Sequence, residues 1–401
     1  MFAFEQKILD FIKRYALIIG GVILLVLSVV LRIKLFPYLY GDIRSDLLIW
    51  FDKIKLYGGF DALGHKIGNY NMLYQTLMAA ITYIKADPAN LIKALSCVFD
   101  YVLAFGVGML VYRVVSGKRG MILGGTAFFV VLFTPTVFIN SALWGQCDAM
   151  YSSFLIISFL LFYRKKHFLG FFAFGIAFAF KLQALFFFPA LLLYYIAEHP
   201  CLLCKALGTP AAVLLCSTPC LIKGRPLSAI WSIYLDQVGN YRMLTLDYPN
   251  IYCWLPDKQY DILQPAGIVF AFCVVAMLFI YLVSLDRRFS VRDYMLITVL
   301  SGYTCVMFLP EMHDRYAFPV EILMLVFTIV YREMYVETVA LQLIALFSYF
   351  PFILDFQVFD LKYVAVANLI VYSSILYKTI FAGKLSMDNQ RNVRAKVSAR
   401  K

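Results

Sequence analysis

YALIIGGVILLVLSVVLRI, residues 15–33, is an apolar run long enough to cross a membrane as one helix. Such a helix needs about 20 mainly apolar residues, because the hydrocarbon core of a bilayer is about 30 Å thick. No small-residue cleavage site of a signal peptide accompanies the run, so we expect it to be retained as a span.

The composition of the whole chain agrees with a membrane protein. Of its 401 residues, 62% are hydrophobic and 15% are charged. Soluble globular proteins carry about 45–50% apolar and about 25% charged residues. No single water-soluble core buries so much apolar surface, and exposing it to water causes aggregation. The composition therefore excludes a cytosolic enzyme, a soluble nucleic-acid-binding domain and a disordered chain.

Further apolar runs predict an all-α polytopic membrane protein with about 12 transmembrane helices. Besides 15–33, the runs lie near 91–113, 120–139, 149–163, 168–181, 183–198, 202–222, 264–285, 291–309, 317–332, 334–353 and 363–382. The apolar run at 72–84 has 13 residues, too few to cross a bilayer. We expect an interfacial or re-entrant helix there.

The net charge of +12 orients these spans. With both termini in the cytoplasm, the inner segments hold 21 basic and 8 acidic residues, as the positive-inside rule requires. The outer side is then neutral, so the excess charge marks topology and gives no support to a nucleic-acid partner. Residues 383–401 are polar and basic, and we expect a cytoplasmic tail on the anionic inner leaflet.

Two long segments, 34–90 and 223–263, fall on the outer side under this topology. Long loops on one face usually carry function, so we expect an extracytoplasmic substrate site. Between Asp46 and Tyr57, apolar residues recur at helical spacing, which predicts an interfacial helix in the first outer segment. Gly58 and Gly59 should end it.

Four clusters of polar residues lie at outer ends of the predicted spans. Asp42 follows Gly41 where the first span leaves the membrane, although an acid near a helix start is also favoured by the helix dipole. Trp144, Gln146 and Asp148 occupy a short turn. Trp is common at membrane interfaces, but a carboxylate entering a span costs about 2–3 kcal/mol on insertion scales.

The other two clusters carry cations. Lys181 and Gln183 lie among Phe and Leu residues, where a lysine either snorkels to the lipid headgroups or binds a phosphate. A short loop holds Glu311, His313, Asp314 and Arg315, and Arg and His there suit a phosphate ligand. Carboxylates and cations beside lipid suggest group transfer from a lipid phosphate. A carboxylate would take the proton of the acceptor hydroxyl, and the cations would stabilise the departing phosphate.

At these residues the chain resembles the GT-C superfamily of polyprenyl-phosphate-sugar-dependent glycosyltransferases. It is most similar to bacterial mannosyltransferases related to GPI mannosyltransferase and to the ALG glucosyltransferases. The matching pieces follow family order over about residues 35–320. They are GD at 41–42, W-F-D-x-I-K and Y-G-G-F-x-A-L after it, NYN at 69–71, WGQCD at 144–148, FKLQALFFFP at 180–189, YPNIYCWL at 248–255 and PEMHDRY at 310–316.

The resemblance implies a GT-C-like catalytic domain over residues 1–382 of a plasma-membrane protein, with its active site outside the cytoplasm. It also implies inverting transfer of a hexose, mannose or glucose, from a polyprenyl-phosphate donor to a glycan, lipid-linked or protein acceptor. The family's catalytic base falls on Asp42. The residues implied to bind donor phosphate or substrate are Asp46, Asn69, Tyr70, Trp144, Gln146, Asp148, Lys181, Gln183, Glu311, His313, Asp314 and Arg315.

The chain departs from the family pattern at two places, and the metal requirement is a separate question. Tyr70 is followed by Asn71 and Met72 where many relatives have two prolines, and Asp46 is offset from the adjacent acid pair of protein O-mannosyltransferases. The clustered acids are ligands that a divalent cation accepts, but the resemblance favours transfer without metal or another cofactor.

Two other functions stay open. A transporter or lipid-glycan flippase would have internal repeats and charged residues near the bilayer midplane. Asp100 is the candidate for such a charged residue. A polysaccharide polymerase or ligase usually depends on outer-loop arginines, and segment 223–263 has Arg225 and Arg242.

Overall fold

The computed structural model describes residues 2–198, 203–237, 239, 241–285, 289–354 and 356–382, and this part of the chain is almost entirely helical. The predicted basic tail, 383–401, lies outside the described residues. The helices are α1 (Phe2–Leu35), α2 (Leu48–Leu56), α3 (Met72–Ile81), α4 (Pro88–Val115), α5 (Gly117–Phe133), α6 (Pro135–Phe138), α7 (Asp148–Tyr163), α8 (His167–Phe180), α9 (Phe188–Glu198), α10 (Gly208–Ile222), α11 (Ala229–Leu235), α12 (Tyr260–Ser284), α13 (Val291–Phe308), α14 (Phe318–Tyr331), α15 (Tyr335–Leu354) and α16 (Leu361–Tyr377). Two short strands, β1 (Thr245–Leu246) and β2 (Met312–His313), complete the fold.

Six helical segments within these described ranges are long and apolar enough to cross a bilayer. They are Lys13–Leu35, Pro88–Val115, Cys204–Ile222, Asp257–Ser284, Tyr335–Ile353 and Leu361–Ile380. A seventh span results if Gly117–Phe133 and Pro135–Leu143, which meet at a bend of 51°, are counted as one. The prediction of an all-α, multi-pass membrane protein is confirmed.

The expected count of about 12 spans stays a prediction. Every predicted apolar run coincides with a helix, but several of these helices are short, such as α7 with 16 residues and α8 with 14. At about 1.5 Å per residue, such helices reach roughly 21–24 Å, less than the hydrocarbon core of about 30 Å. The helix in the 72–84 run, α3, has 10 residues and is also too short to cross.

The helices α4, α5, α7, α8 and α10 pack extensively on one another. Close approach of α4 to α5 depends on glycine: a Cβ added at Gly124 would lie 2.7 Å from the carbonyl oxygen of Gly108. In contrast, α1 exposes most of its apolar surface, and an ion pair from Arg32 Nε to Asp100 Oδ2 (2.9 Å) connects it to α4.

The first outer segment forms a helical layer over one end of the bundle. A π-helical turn at Ile43–Leu47 leads directly into α2, and Gly58 (φ +86°) ends α2. The helix expected between Asp46 and Tyr57 is therefore present, but the expectation that its apolar face lies on the membrane is wrong. Its apolar stripe, which includes Leu47, Phe51 and Ile54, is buried in the core of the protein.

The second outer segment packs on the first and on the loop between α13 and α14. Arg225 Nη1 donates to the carbonyl oxygen of His65 (3.0 Å) and to Gln75 Oε1 (3.1 Å). Strand β1 pairs in parallel with β2, with Thr245 opposite Met312. These contacts bring residues from distant parts of the chain around one cavity.

Candidate functional site

A cavity with a volume of about 350 Å³ lies where the two outer segments meet the bundle. Part of its lining comes from the first outer segment, including the turn at 69–71. Other lining residues come from the stretch between α8 and α9, from α12 and from the α13–α14 loop. The predicted site residues that line the cavity are Asp42, Asp46, Asn69, Tyr70, Lys181, Gln183, Glu311, His313 and Arg315.

Asp42 enters this cavity from a tight turn. Gly41 has φ +51°, and a Cβ there would lie 2.1 Å from the ring of Phe352, so only glycine fits. Gln146 Nε2 donates to Asp42 Oδ2 (2.5 Å), and the hydroxyl of Tyr70 donates to Gln146 Oε1 (2.9 Å). Among the described residues, none donates a hydrogen bond to Asp42 Oδ1. One carboxylate oxygen is thus fixed by the protein and the other is left for a ligand.

Arg315 connects the carboxylates of the site. Its Nη2 donates to Asp42 Oδ2 (3.1 Å), its Nη1 to Asp314 Oδ1 (3.3 Å), and its Nε lies 3.5 Å from Asp148 Oδ2. The guanidinium also lies 4.8 Å from the centre of the Trp144 ring, a cation–π distance. Burial lowers the Arg315 pKa, but the nearby acidic groups, Asp42 foremost, more than offset this and the pKa lies above its usual value.

Lys181 forms a buried ion pair with Asp148, donating from Nζ to Oδ1. Asp148 Oδ2 also accepts a hydrogen bond from Asn140 Nδ2 (3.0 Å). Asp148 is fully buried behind the cavity wall, whereas Lys181 reaches the wall itself. The aspartate therefore holds the lysine in position, since removing one member of a buried pair is costly.

The α13–α14 loop is shaped by its own contacts with the second outer segment. Glu311 adopts a left-handed backbone (φ +60°), and its carboxylate accepts hydrogen bonds from the Tyr260 hydroxyl and from the Gly239 amide (2.9 Å). The next residues form β2, and the amide of Asp314 donates to the carbonyl oxygen of Leu246 (2.9 Å). Glu311 thereby ties this loop to the second outer segment.

His313 and Asp314 of this loop also have shifted pKa values. Burial lowers the pKa of His313 well below its usual value, and the nearby charges of Arg315 and Lys181 lower it further. His313 is therefore neutral at pH 7, and its hydrogen bonds to a ligand would not carry a positive charge. Burial raises the pKa of Asp314 to about 8, although Arg315 acts in the opposite direction. Asp314 is therefore largely protonated at pH 7.

No protein-family model matches this chain, and no curated protein matches it. What the site does must therefore be argued from its own geometry.

Four of the predicted site residues lie behind the cavity wall instead of lining it. Trp144 and Asp148 support Arg315 and Lys181, Gln146 supports Asp42, and Asp314 contacts Arg315. Within the described ranges, no group of three His, Cys, Asp or Glu side chains is placed to hold a metal ion. The metal requirement stays a prediction.

Several residues at the cavity escaped the sequence reasoning. Trp50, Gln237 and Tyr241 line it, and Asn140 contacts Asp148 from the preceding π-helical turn. Trp50 lies in the amphipathic stretch, where an aromatic residue looks like part of an apolar face. Asn140 lies in the same polar stretch of sequence as Trp144, and this proximity could have identified Asn140 as a candidate site residue.

Proposed function

We propose that this protein is an inverting membrane glycosyltransferase that transfers a hexose, mannose or glucose, from a polyprenyl-phosphate donor. The observation that carries the proposal is the open Oδ1 of Asp42, in a cavity that also holds Lys181 and Arg315. A carboxylate with one free oxygen is suited to accept a proton from a hydroxyl. Two cations beside it are suited to stabilise a departing phosphate.

The apolar part of the cavity lining supports a lipid donor. It includes Leu185, Phe186, Ile268 and Leu309. Leu185 and Ile268 are also partly exposed, at 41% and 39%. A prenyl chain that lies along this surface would leave the cavity toward the membrane, while its phosphate stays near Lys181.

In the proposed reaction, the acceptor hydroxyl oxygen attacks the anomeric carbon of the donor sugar. A new C–O bond forms as the bond from that carbon to the phosphate oxygen breaks, with inversion at the carbon. The acceptor proton passes to Asp42 Oδ1, and the polyprenyl phosphate leaves with the bonding electron pair. Neutral His313 would donate a hydrogen bond to the donor.

Arg315 links donor binding to the base. Its guanidinium donates a hydrogen bond to Asp42 in this structure, and an incoming phosphate would compete with Asp42 for that guanidinium. When Arg315 turns toward the phosphate, Asp42 loses a hydrogen-bond donor and its carboxylate is released for contact with the acceptor hydroxyl.

Asp100, the acidic residue that a transporter would place near the bilayer midplane, gives the transporter alternative little support. Its carboxylate is paired with Arg32, close to the outer end of α1, and accepts a hydrogen bond from Ser141. An acid engaged in this way is suited to a structural role. The proposal also includes a plasma-membrane location with both termini in the cytoplasm, as the distribution of basic residues indicates.

The test uses purified protein in detergent with polyprenyl-phosphate mannose or glucose and a panel of glycan, lipid-linked and peptide acceptors. We expect release of polyprenyl phosphate together with a glycosylated acceptor. Asp42→Asn should lower the rate at least about 100-fold, since a general base contributes about 10²–10⁴-fold. Donor binding should survive in this variant. Asp52→Asn, at an exposed position on α2, is the matched control and should keep full activity. Equal activity of the Asp42 and Asp52 variants would refute the assignment of the base.

A further inference from the structure

A second cavity, with a volume of about 200 Å³, is lined by residues of α7, α8, α9, α13 and α14. It shares no described lining residue with the cavity at Asp42. Its buried lining is apolar, and examples from different helices are Phe162, Phe174, Leu191 and Leu323. The proposed reaction makes no use of this cavity.

Two hydroxyl groups in the lining of this second cavity are already used by the protein. Ser158 Oγ donates to the carbonyl oxygen of Gly170 (2.8 Å), and Thr298 Oγ1 donates to that of Tyr294 (2.6 Å). Water needs polar partners inside a cavity, whereas cavities of about 150 Å³ lined by Leu, Ile and Phe bind apolar molecules. The interior therefore suits a hydrocarbon chain and offers few hydrogen bonds to a sugar or a nucleotide.

The accessible part of the lining lies where α7 ends and α13 begins, and it is aromatic and basic. Tyr163 and Tyr294 are partly exposed there, and Lys165 is exposed. Lys165 stands between Arg164 and Lys166, which are exposed as well. Tyrosine is typical of membrane interfaces, and clustered cations attract anionic headgroups. An apolar interior with this basic mouth matches the two parts of an anionic lipid.

The basic mouth and the candidate functional site lie at opposite ends of α7. This helix begins at Asp148, behind the cavity at Asp42, and ends at Tyr163. Its 16 residues separate the two ends by about 24 Å, at about 1.5 Å per residue. Under the predicted topology the basic mouth faces the cytoplasm, where the membrane leaflet carries anionic phospholipids. The proposed polyprenyl-phosphate donor binds at the other end.

We infer that the second cavity binds one acyl chain of an anionic phospholipid from the cytoplasmic leaflet. The phosphate of this lipid lies beside Arg164, Lys165 and Lys166, and the chain lies between the helices. Because the cavity lining is largely buried, this site is distinct from the lipid that surrounds the outside of any membrane protein. The inference does not depend on the proposed transferase activity.

Photo-crosslinking tests the position of the acyl chain. Phosphatidylglycerol with a diazirine near the end of one acyl chain is added to the delipidated full chain in detergent, and the labelled peptides are mapped by mass spectrometry. We expect labelling of the peptides that contain Phe174 and Leu323. Ala190→Phe enlarges a lining residue and should lower this labelling at least about fivefold. Thr298→Phe, which enlarges a lining residue on α13, should do the same and keeps the test valid if Ala190→Phe does not fold. Ala211→Phe, at an exposed position on α10, is the matched control and should leave the labelling unchanged.

The headgroup is tested with phosphatidylcholine that carries the same diazirine chain. We expect it to label the same peptides at least about fivefold less than phosphatidylglycerol. Lys165→Gln should lower the phosphatidylglycerol labelling about threefold or more and leave the phosphatidylcholine labelling unchanged. Lys118→Gln, at an exposed position at the start of α5, is the control and should change neither.

Three results would overturn the inference. The first is labelling of these peptides that is unchanged in folded Ala190→Phe and Thr298→Phe. The second is equal labelling by the two phospholipids. The third is competition by unlabelled polyprenyl phosphate or by a fatty acid that matches competition by unlabelled phosphatidylglycerol, because the cavity would then not select a phospholipid.

Discussion

Replacing either member of the buried ion pair between Arg32 and Asp100 should destabilise the protein more than replacing both. The side chains are 3% and 0% exposed, and the pair joins α1 to the centre of the bundle. We expect Arg32→Met alone or Asp100→Leu alone to lower the free energy of unfolding by about 3–5 kcal/mol, because each leaves an uncompensated buried charge.

The remaining contacts explain why the two single changes should be costly. In Asp100→Leu, the guanidinium keeps bonds only to the carbonyl oxygens of Ser28 (3.2 Å) and Leu132 (3.1 Å), which do not neutralise it. In Arg32→Met, Asp100 keeps the hydroxyl of Ser141, but its Oδ1 has no hydrogen-bond partner among the described residues.

The double variant removes both charges and should recover most of the loss. Ser141 loses an acceptor but its hydroxyl still donates to the carbonyl oxygen of Val137 (3.2 Å). Because a buried pair and an apolar replacement are often of similar stability, we expect the double variant to lie within about 2 kcal/mol of the unchanged protein. The coupling energy between the two positions should then be about 3 kcal/mol or more.

The assay is equilibrium unfolding in mixed micelles, followed by tryptophan fluorescence, for the unchanged protein, both single variants and the double variant. The exposed pair between Lys223 and Asp61 is the matched control, with side chains 39% and 73% exposed. Its double-mutant cycle should give a coupling of about 1 kcal/mol or less. If the two losses at Arg32 and Asp100 simply add in the double variant, the reasoning about buried charge is wrong.

Three other predictions concern the site and the topology. Asp314 should destabilise the fold increasingly as the pH rises from about 4 to 8, because its folded-state pKa of about 8 exceeds its unfolded value. The free energy of unfolding of Asp314→Asn should therefore rise relative to that of the unchanged protein over that range. A difference in unfolding free energy that stays constant with pH would contradict the assignment. Lys181→Met should lose up to about 3–5 kcal/mol by breaking the buried ion pair with Asp148, which then keeps Arg315 (3.5 Å) as its remaining cation. Lys181→Met with Asp148→Asn should regain stability without regaining donor affinity, and recovery of both in a donor-binding titration would exclude Lys181 as a phosphate ligand. The topology can be tested after the exposed Cys204 and Cys273 are replaced by serine. A membrane-impermeant thiol reagent should label Ser45→Cys from outside, and should label Ser116→Cys only in opened vesicles. The reverse labelling pattern would show that the topology is inverted.

Much of the architecture could be predicted because the local amino-acid composition identifies membrane-spanning helices. The long apolar runs coincide with helices, and the amphipathic stretch that begins at Asp46 forms α2. The burial of its apolar stripe against protein was not predictable, because the same period of 3.6 residues suits a membrane surface and a protein core. Whether the short helix α7 crosses a whole bilayer also cannot be read from hydropathy, since ten of its 16 residues are buried among other helices.

The candidate site was partly predictable for a related reason. Charged residues are costly at the ends of membrane spans, so the few that occur there mark positions worth considering, such as Asp148 and Lys181. Their pairing depends on the crossing of α7 and α8, which no local pattern reveals. Trp50 and Tyr241 carry no such signal, because aromatic residues are common throughout this chain.

The charges of the site suggest an order of events for the proposed reaction. With Asp314 protonated and His313 neutral, the two cations Lys181 and Arg315 are balanced by two carboxylates, Asp42 and Asp148. A sugar phosphodiester adds one negative charge, so it must take a share of a cation that is already engaged.

Asp148 is fully buried and would be left uncompensated if it lost both Lys181 and Arg315, whereas Asp42 faces the cavity and is 23% exposed. The bond from Arg315 to Asp42 is therefore the one that costs least to give up. Donor binding would then precede, and bring about, the release of the Asp42 carboxylate from Arg315. An acceptor that arrives first would meet a carboxylate still paired with arginine and would not be deprotonated, so initial-rate kinetics should show ordered addition with the donor first.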